Sequence, residues 1–206
     1  MTGIYANSIK DKTGTRQLAS DSGSAWSWGA NVPKGSVIEQ FMSPCDGSSI
    51  TVQSGTYTVQ NVTGVQNLDS PDYADLTGSS ISYKPPTGTQ TVVYSLKVFH
   101  DFDDANNLAH YKLFLDSDEV TYARATIGAN THLHSLVHFT WAFRIGDGNV
   151  TNTGKVASWS SNKTIKMQVR EYGAANEAIL HQIKYWDGDS SALPLSMPVI
   201  GITALA

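Results

Sequence analysis

The chain has 206 residues, 40% of them hydrophobic and 16% charged, with 14 Lys+Arg against 18 Asp+Glu and a formal net charge of −4. That length suits one large domain, or a domain and an arm, and buries a core without disulfides. No dense Lys/Arg run is present to grip a nucleic-acid backbone, and no apolar stretch reaches membrane-spanning length, so nucleic acid and membrane insertion are excluded as partners.

Ser and Thr fill 42 positions (23 and 19). Their hydroxyls compete with helical hydrogen bonds and Thr suits a pleated surface, so the composition is that of a β protein with an uncharged polar exterior. Cys45 is the only cysteine, which excludes an intramolecular disulfide. Met1–Ser20 lacks the apolar core of a signal peptide. Together these point to folding in a reducing cytoplasm, with any extracellular role reached by lysis or inside an assembled particle.

Residues 1–35 read as an attachment arm of short hairpins. Lys10–Arg16 and Ser20–Ser24 are turn-rich, and Trp26 and Trp28 follow at strand spacing with both rings on one face. Pro33-Lys34-Gly35 punctuates the chain, and residues 36–206 read as a β-sandwich domain. Ser36–Met42 is a first strand. Ile50–Val52 and Tyr57–Val59 alternate around Ser54-Gly55 as a hairpin, and Ile81–Tyr83 leads into the stiff Pro85-Pro86-Thr87-Gly88 turn. The longest strand signal follows, with Val92, Tyr94, Leu96 and Val98 on one face.

Asp103–Ala109 lacks alternation and has room for a helical turn. Tyr111–Leu115 is a strand, Asp116–Glu119 a turn, and Val120–Ile127 the return. Val137, Phe139, Trp141, Phe143 and Ile145 form the clearest apolar stripe, with His138, Thr140 and Arg144 opposite, and Ile165–Val169 alternates likewise. Ile179–Trp186 is read as a strand bracketed by Gly173 and Asp187-Gly188. The apolar end, Pro198–Ala206, is read as a docked final strand, because exposing it to water is costly. About ten strands are expected after residue 35, and the architecture expected is all-β: a jelly-roll-like two-sheet sandwich with an N-terminal hairpin-rich arm.

Chemistry-bearing motifs are scarce. There is no Gly-x-Ser-x-Gly elbow, and Cys45 beside Pro44 has no nearby His, so it reads as an inert buried thiol. Gly146-x-Gly148 ends a strand instead of opening a helix. His132, His134 and His138 are candidate metal ligands, since two imidazoles at i and i+2 on a strand can share an ion, but no carboxylate completes the set and a structural role is preferred. Asp101, Asp103 and Asp104, with Asp116, Asp118 and Glu119, match no calcium loop and read as solvated turns. Trp159 and Trp186, near turns, are candidates for stacking on a glycan; Trp26 and Trp28 are assigned to the arm. No catalytic residue, no metal and no cofactor is expected.

Several segments carry a resemblance: Pro33–Gln40 with Ser43–Ser48, His110–Asp116 with Glu119-Val120-Thr121, Val169-Arg170-Glu171-Tyr172, and Tyr185-Trp186-Asp187-Gly188. They resemble a family of small virion surface proteins of marine phages and other aquatic viruses, from roughly residue 15 to the end of the chain. The resemblance implies a fibre, spike or capsid decoration assembled in the host cytoplasm. It also implies a homotrimer attached to a major capsid or tail protein, with no catalytic set. The alternative is a lectin-like module that recognises host-surface glycan. The residues support self-association independently. Val93 and Phe99 flank Lys97, Phe114 lies beside Lys112, and Trp186 beside Lys184, giving second strand faces more apolar area than a monomer needs.

Overall fold

The computed structural model describes residues 8–10, 17–21, 25–28, 33–102, 107–129, 133–146, 148–173, 178–183 and 195–206; of 8–10, 17–21, 25–28, 107, 129 and 133 it describes the backbone alone. Among these residues the structure is nearly all β, with two short 3-10 turns, Thr121–Ala123 and Thr151–Thr153.

Strands β1 (Ser8–Lys10), β2 (Gln17–Asp21) and β3 (Ala25–Trp28) form a separate antiparallel sheet in that order. Fourteen more strands follow: β4 (Val37–Pro44), β5 (Ser49–Val52), β6 (Gly55–Thr58), β7 (Gln66–Leu68), β8 (Ala74–Asp75), β9 (Ile81–Tyr83) and β10 (Thr91–Phe102); then β11 (Asn107–Leu115), β12 (Asp118–Glu119), β13 (Ala125–Ala129), β14 (Leu133–Arg144), β15 (Lys163–Glu171), β16 (Ala178–Leu180) and β17 (Val199–Leu205).

The twelve-residue β10 is the spine of the first sheet. One edge pairs with β14 along its whole length. The other edge takes β17 over Thr91–Lys97 and β16 over His100–Phe102, and beyond these lie β4 and β7. In the second sheet β11 pairs β15 on one edge and β12 and β13 on the other, while β15 also carries β8 and β9. Take β4, β9, β10, β11, β13, β14, β15 and β17 as positions one to eight. The first sheet then runs one–eight–three–six, and the second two–seven–four–five. That is the strand order of a jelly roll, in which successive strands alternate between sheets except at positions four and five, which pair in the second.

Period-two patterning makes this possible, because each long strand buries one face. Val92, Tyr94, Leu96 and Val98 of β10 meet Tyr111, Leu113 and Leu115 of β11 and Ile165, Met167 and Val169 of β15 in one continuous core. Each such side chain stabilises the fold by roughly 1.5–3 kcal/mol relative to exposure. At one end the core is aromatic: Phe41, Tyr57, Tyr83, Trp159 and Phe143 form a chain of ring contacts with centroids 5.0 to 6.5 Å apart. The buried Glu39 carboxylate is tied into that end, accepting from Tyr83 Oη at 2.8 Å, Ser54 Oγ at 2.6 Å and the Ser54 amide at 2.7 Å.

Four sequence expectations need correction. Fourteen strands follow residue 35 instead of about ten, because β7, β8 and β12 are two or three residues long and show no period. The return after Asp116–Glu119 is interrupted by the Thr121–Ala123 turn, so β13 starts only at Ala125. Asn107–Ala109 is strand, held by β13 and β15, and not part of a helical turn. The strand expected from Ile179 to Trp186 stops at Leu180, because His181 takes the left-handed conformation (φ +67°), which ends an extended run. The final strand is docked as expected, and it lies between β4 and β10.

Candidate functional site

The two outer faces of the sandwich are the surfaces on which function can be built. The first-sheet face comes from the strand positions that alternate with the core. In register across four strands it presents Met42, Gly201, Ser95 and Thr140; the row beside it is Gln40, Thr203, Val93 and Ala142. A bulge at Ala204/Leu205 turns Val37 outward as well, opposite Leu205. Lys97, Arg144 and His138 are its ionisable groups, while Met42 is 66% exposed, Val37 50% and Leu136 46%. At its centre Ser95 and Met42 crowd Gly201, where a Cβ would stand 2.5 Å from Ser95 Oγ and 3.4 Å from Met42 Cε.

The second-sheet face is charged and aromatic. His110, Lys112 and Phe114 of β11 alternate with core residues, as do Lys166, Gln168 and Arg170 of β15, and His110 lies directly across from Arg170. Glu119 pairs with Lys112 at 3.3 Å and Arg124 at 2.6 Å. Those cations hold its carboxyl below the usual range, through the Arg124 hydrogen bond above all. Asp75 pairs with Lys166 at 3.0 Å and accepts from Gln168 Nε2 at 2.9 Å. The Tyr73 ring has Lys112 Nζ 4.1 Å and Arg170 Cζ 5.2 Å from its centroid. Asp116 (φ +56°) makes the tight β11–β12 turn, accepting from the Thr164 amide at 2.8 Å and pairing with Lys163 at 2.9 Å.

Between the faces, the end of the sandwich opposite the aromatic cluster is polar and buried. His100 Nδ1 lies 2.6 Å from Tyr111 Oη, and its ring is 4.0 Å from that of Phe102. His181 Nε2 lies 2.9 Å from Thr77 Oγ1. Burial pushes the His100 pKa down to about 3 and the His181 pKa to about 4, so both are neutral at pH 7. His134 Nδ1 pairs with the fully buried Asp101 at 2.6 Å, and Gln182 Nε2 donates to the other carboxylate oxygen at 3.4 Å. Asp101 is therefore no solvated turn; β10 runs on to Phe102 and carries it inward under Gln182. Burial also raises the Cys45 thiol to about 11, and it donates to Gly78 O at 3.1 Å, so it stays protonated.

The candidate residues from the sequence divide accordingly. His132 lies outside the described residues. His134 and His138 are both on β14, but four strand positions span roughly 13 Å. They cannot share an ion, and His138 stands opposite Lys97. Among the described residues no group of three His, Cys, Asp or Glu is placed to hold a metal. Trp159 is corrected: it is 5% exposed, its Nε1 donates to Tyr83 O at 3.0 Å, and it packs on Tyr83 and Phe143, leaving no ring face for a sugar. Trp186 lies outside the described residues. Trp26 and Trp28 fall in β3, paired with Ser20 and Leu18, and their backbone alone is described. The second-face set around Tyr73 was not anticipated. Its one signal was the polar alternation His110/Lys112 and Lys166/Gln168/Arg170, which is also what any solvated strand face shows.

No protein-family model matches the chain, and no curated protein matches it. Among solved structures, the chain is similar to one titled "Structure of infectious bursal disease virus Gx strain", with a TM-score of 0.37 and 9% identity over 92% of this chain. It is also similar to one titled "Structure of infectious bursal disease virus Gt strain", with a TM-score of 0.26 and 12% identity over 93% of this chain. The chain spans less than half of either structure's chain, 42% and 46%. At those scores neither likeness carries an argument about function.

Proposed function

We propose that this protein is a non-enzymatic structural component of a virus particle, a surface decoration, fibre or spike, which works as a homotrimer through the outer face of its first sheet. The observation that carries the reading is the chemistry of that face: four strands wide, with Lys97, Arg144 and His138 as its ionisable groups, and exposing Met42, Val37 and Leu136. Apolar area left in water forfeits about 25 cal/mol per Å² that a second copy would recover. The preference for three copies over two, and for a phage or related virus, rests on the sequence resemblance. The absence of a nucleophile motif supports a non-enzymatic role, and residues 1–35, with Trp26 and Trp28, are the segment proposed to attach to a major capsid or tail protein.

Light scattering of the full chain at micromolar concentration tests the assembly. The expected mass is three times the 22.2 kDa of one chain, with an interface of about 2,000 Å² or more if it is obligate; a stable monomer overturns it. Deleting residues 1–35 should leave a folded, trimeric sandwich that is no longer incorporated into particles. A truncated chain that cannot fold would place those residues in the core and end the attachment reading.

A further inference from the structure

We propose that the outer face of the second sheet binds an acidic polysaccharide, with Arg170 and Lys112 taking a sugar carboxylate and Tyr172 taking the apolar face of a sugar ring. It goes beyond the assembly reading and does not depend on it, because it uses the opposite side of the sandwich.

The cations come first. On a chain of net charge −4, Lys112 and Arg124 share one carboxylate, Glu119, and Lys112 and Arg170 both lie against the Tyr73 ring. Arg170 makes no ion pair among the described residues. Its guanidinium is positioned by Nη1 donating to Pro71 O at 3.1 Å and by the Tyr73 ring, against which Lys112 also lies. A backbone carbonyl and a π face orient Arg170 without neutralising it, while Lys112, paired with Glu119, stands against the same ring, so the guanidinium is the cation left for a bound anion. An Arg fork matches a planar carboxylate in two parallel hydrogen bonds. His110, across from Arg170, adds no charge: burial and the guanidinium both press its pKa down, and its Nδ1 lies 3.0 Å from Thr126 Oγ1. Asp72, beside Tyr73 in the chain, is in no ion pair with these cations.

The aromatic comes next. Tyr172 is 61% exposed, with its ring centroid 6.1 Å from that of His110. Its amide continues the β11 pairing by donating to Leu108 O at 2.8 Å, so its side chain emerges on the Arg170 side of the strand. Two strand positions separate Arg170 from Tyr172, roughly 6.6 Å along the strand, within reach of one pyranose ring and its carboxylate. An exposed ring flanked by fixed polar groups is the arrangement that takes a sugar's apolar face while its hydroxyls stay wet.

Length is the third observation. On the same two strands lies a shallow groove of about 660 Å³, lined by Phe114, Thr164, Lys166 and Gln168, the last of which stands across from Lys112. The acids that line it, Asp75 and Asp116, are each paired with a lysine, so the groove offers hydrogen-bonding groups without a free negative charge. A groove beside a carboxylate site suits a polymer better than a single sugar. Three cations are too few for the counterion release that drives nucleic-acid binding, so an acidic glycan is favoured over a phosphate backbone.

The test measures binding of the full chain to immobilised polygalacturonate, with dextran, dextran sulfate and oligo(dT) as comparisons. Binding to polygalacturonate is expected, with none to dextran, and affinity should fall several-fold between roughly 0.05 and 0.3 M salt. Arg170→Ala and Tyr172→Ala should each weaken binding by about tenfold or more. Lys112→Gln should weaken it less, and Tyr172→Phe should keep it. Circular dichroism melts of each variant verify folding, and Arg170→Gln replaces Arg170→Ala if the latter unfolds. No binding to polygalacturonate at low salt overturns the proposal. So does unchanged binding by the folded Arg170 variant. Binding to dextran sulfate or oligo(dT) as tight as to polygalacturonate, together with indifference to Tyr172→Ala, would show mere polyanion attraction and overturn it equally.

Discussion

Across the first sheet the row Met42, Gly201, Ser95, Thr140 crosses four strands without a charge; across the second, the row Asp75, Gln168, Lys112 crosses three and carries two. Both faces have the same backbone geometry and the same core alternation beneath them. The difference lies entirely in which residues occupy the positions the core does not use. A sheet face that only meets water keeps its charges, because they cost nothing there and oppose edge and face association. A face with fewer of them at its centre, with Met42 and Leu136 left exposed, is suited to contact.

The largest expected effect tests what the two faces share. His100 is buried and neutral, with its pKa lowered from 6.5 to about 3. The unfolded chain therefore binds the proton first, and stability is lost as pH falls from about 6.5 towards 3. A shift of that size corresponds to roughly 4–5 kcal/mol at the acid end. Thermal melts from pH 7 to pH 3 should show the wild type losing more stability than His100→Asn. An identical pH slope in the variant would remove His100 as the cause. Substitutions on either face should leave that slope alone.

Charge on the first face should break assembly next. Met42→Glu together with Leu136→Lys is expected to weaken self-association by about a hundredfold or more while leaving the monomer folded, since both side chains are exposed; sedimentation of the variant across a concentration series reads it. The same pair of charges placed on the second face, at Thr126 and Phe114, should leave the mass unchanged. If both pairs act alike, the contrast between the faces has no bearing on assembly.

A smaller effect probes the crowding at Gly201. Gly201→Ala puts a methyl 2.5 Å from Ser95 Oγ, and about 1–3 kcal/mol of destabilisation is expected in denaturant unfolding. Adding Ser95→Gly should recover part of it, and no recovery would mean the close approach is not the cause. Smallest of all, Lys166→Ala removes an exposed pair with Asp75 and should change stability by no more than about 0.5 kcal/mol.

The long strands were legible because burial on one side writes itself into alternate positions: β15 was read close to its bounds, while β10 was cut short at Phe99 and β14 was started late, at Val137. The two-residue strands β8 and β12 were not, since nothing alternates over two residues and long-range pairing alone makes them strand. His181 shows the converse: its neighbours alternate, but a left-handed backbone ends the run. The jelly-roll order could not be read, because it depends on which distant strands pair and each local pattern permits many partners. Site residues were harder still. Trp159 stands near turns in sequence and is packed between Tyr83 and Phe143 in space. Asp101 looked like one acid of an exposed cluster and is buried on His134. Both errors come from tertiary burial, which no local pattern reports.

The placement of β17 has a consequence for how the molecule is made. Val199–Leu205 separates β4 from β10, so two strands that leave the ribosome earlier must wait, each with an unpaired edge, for one that leaves about a hundred residues after β10. Pairings so distant in the chain fold slowly, since loop closure precedes any reward from contact. Until Leu205 is available the first sheet is split in two, and a product stopped at Pro198 would carry two open strand edges where the finished sheet has an interior. A chain in which β17 has not yet been made is thus a candidate for aggregation and degradation, because its first sheet carries those open edges.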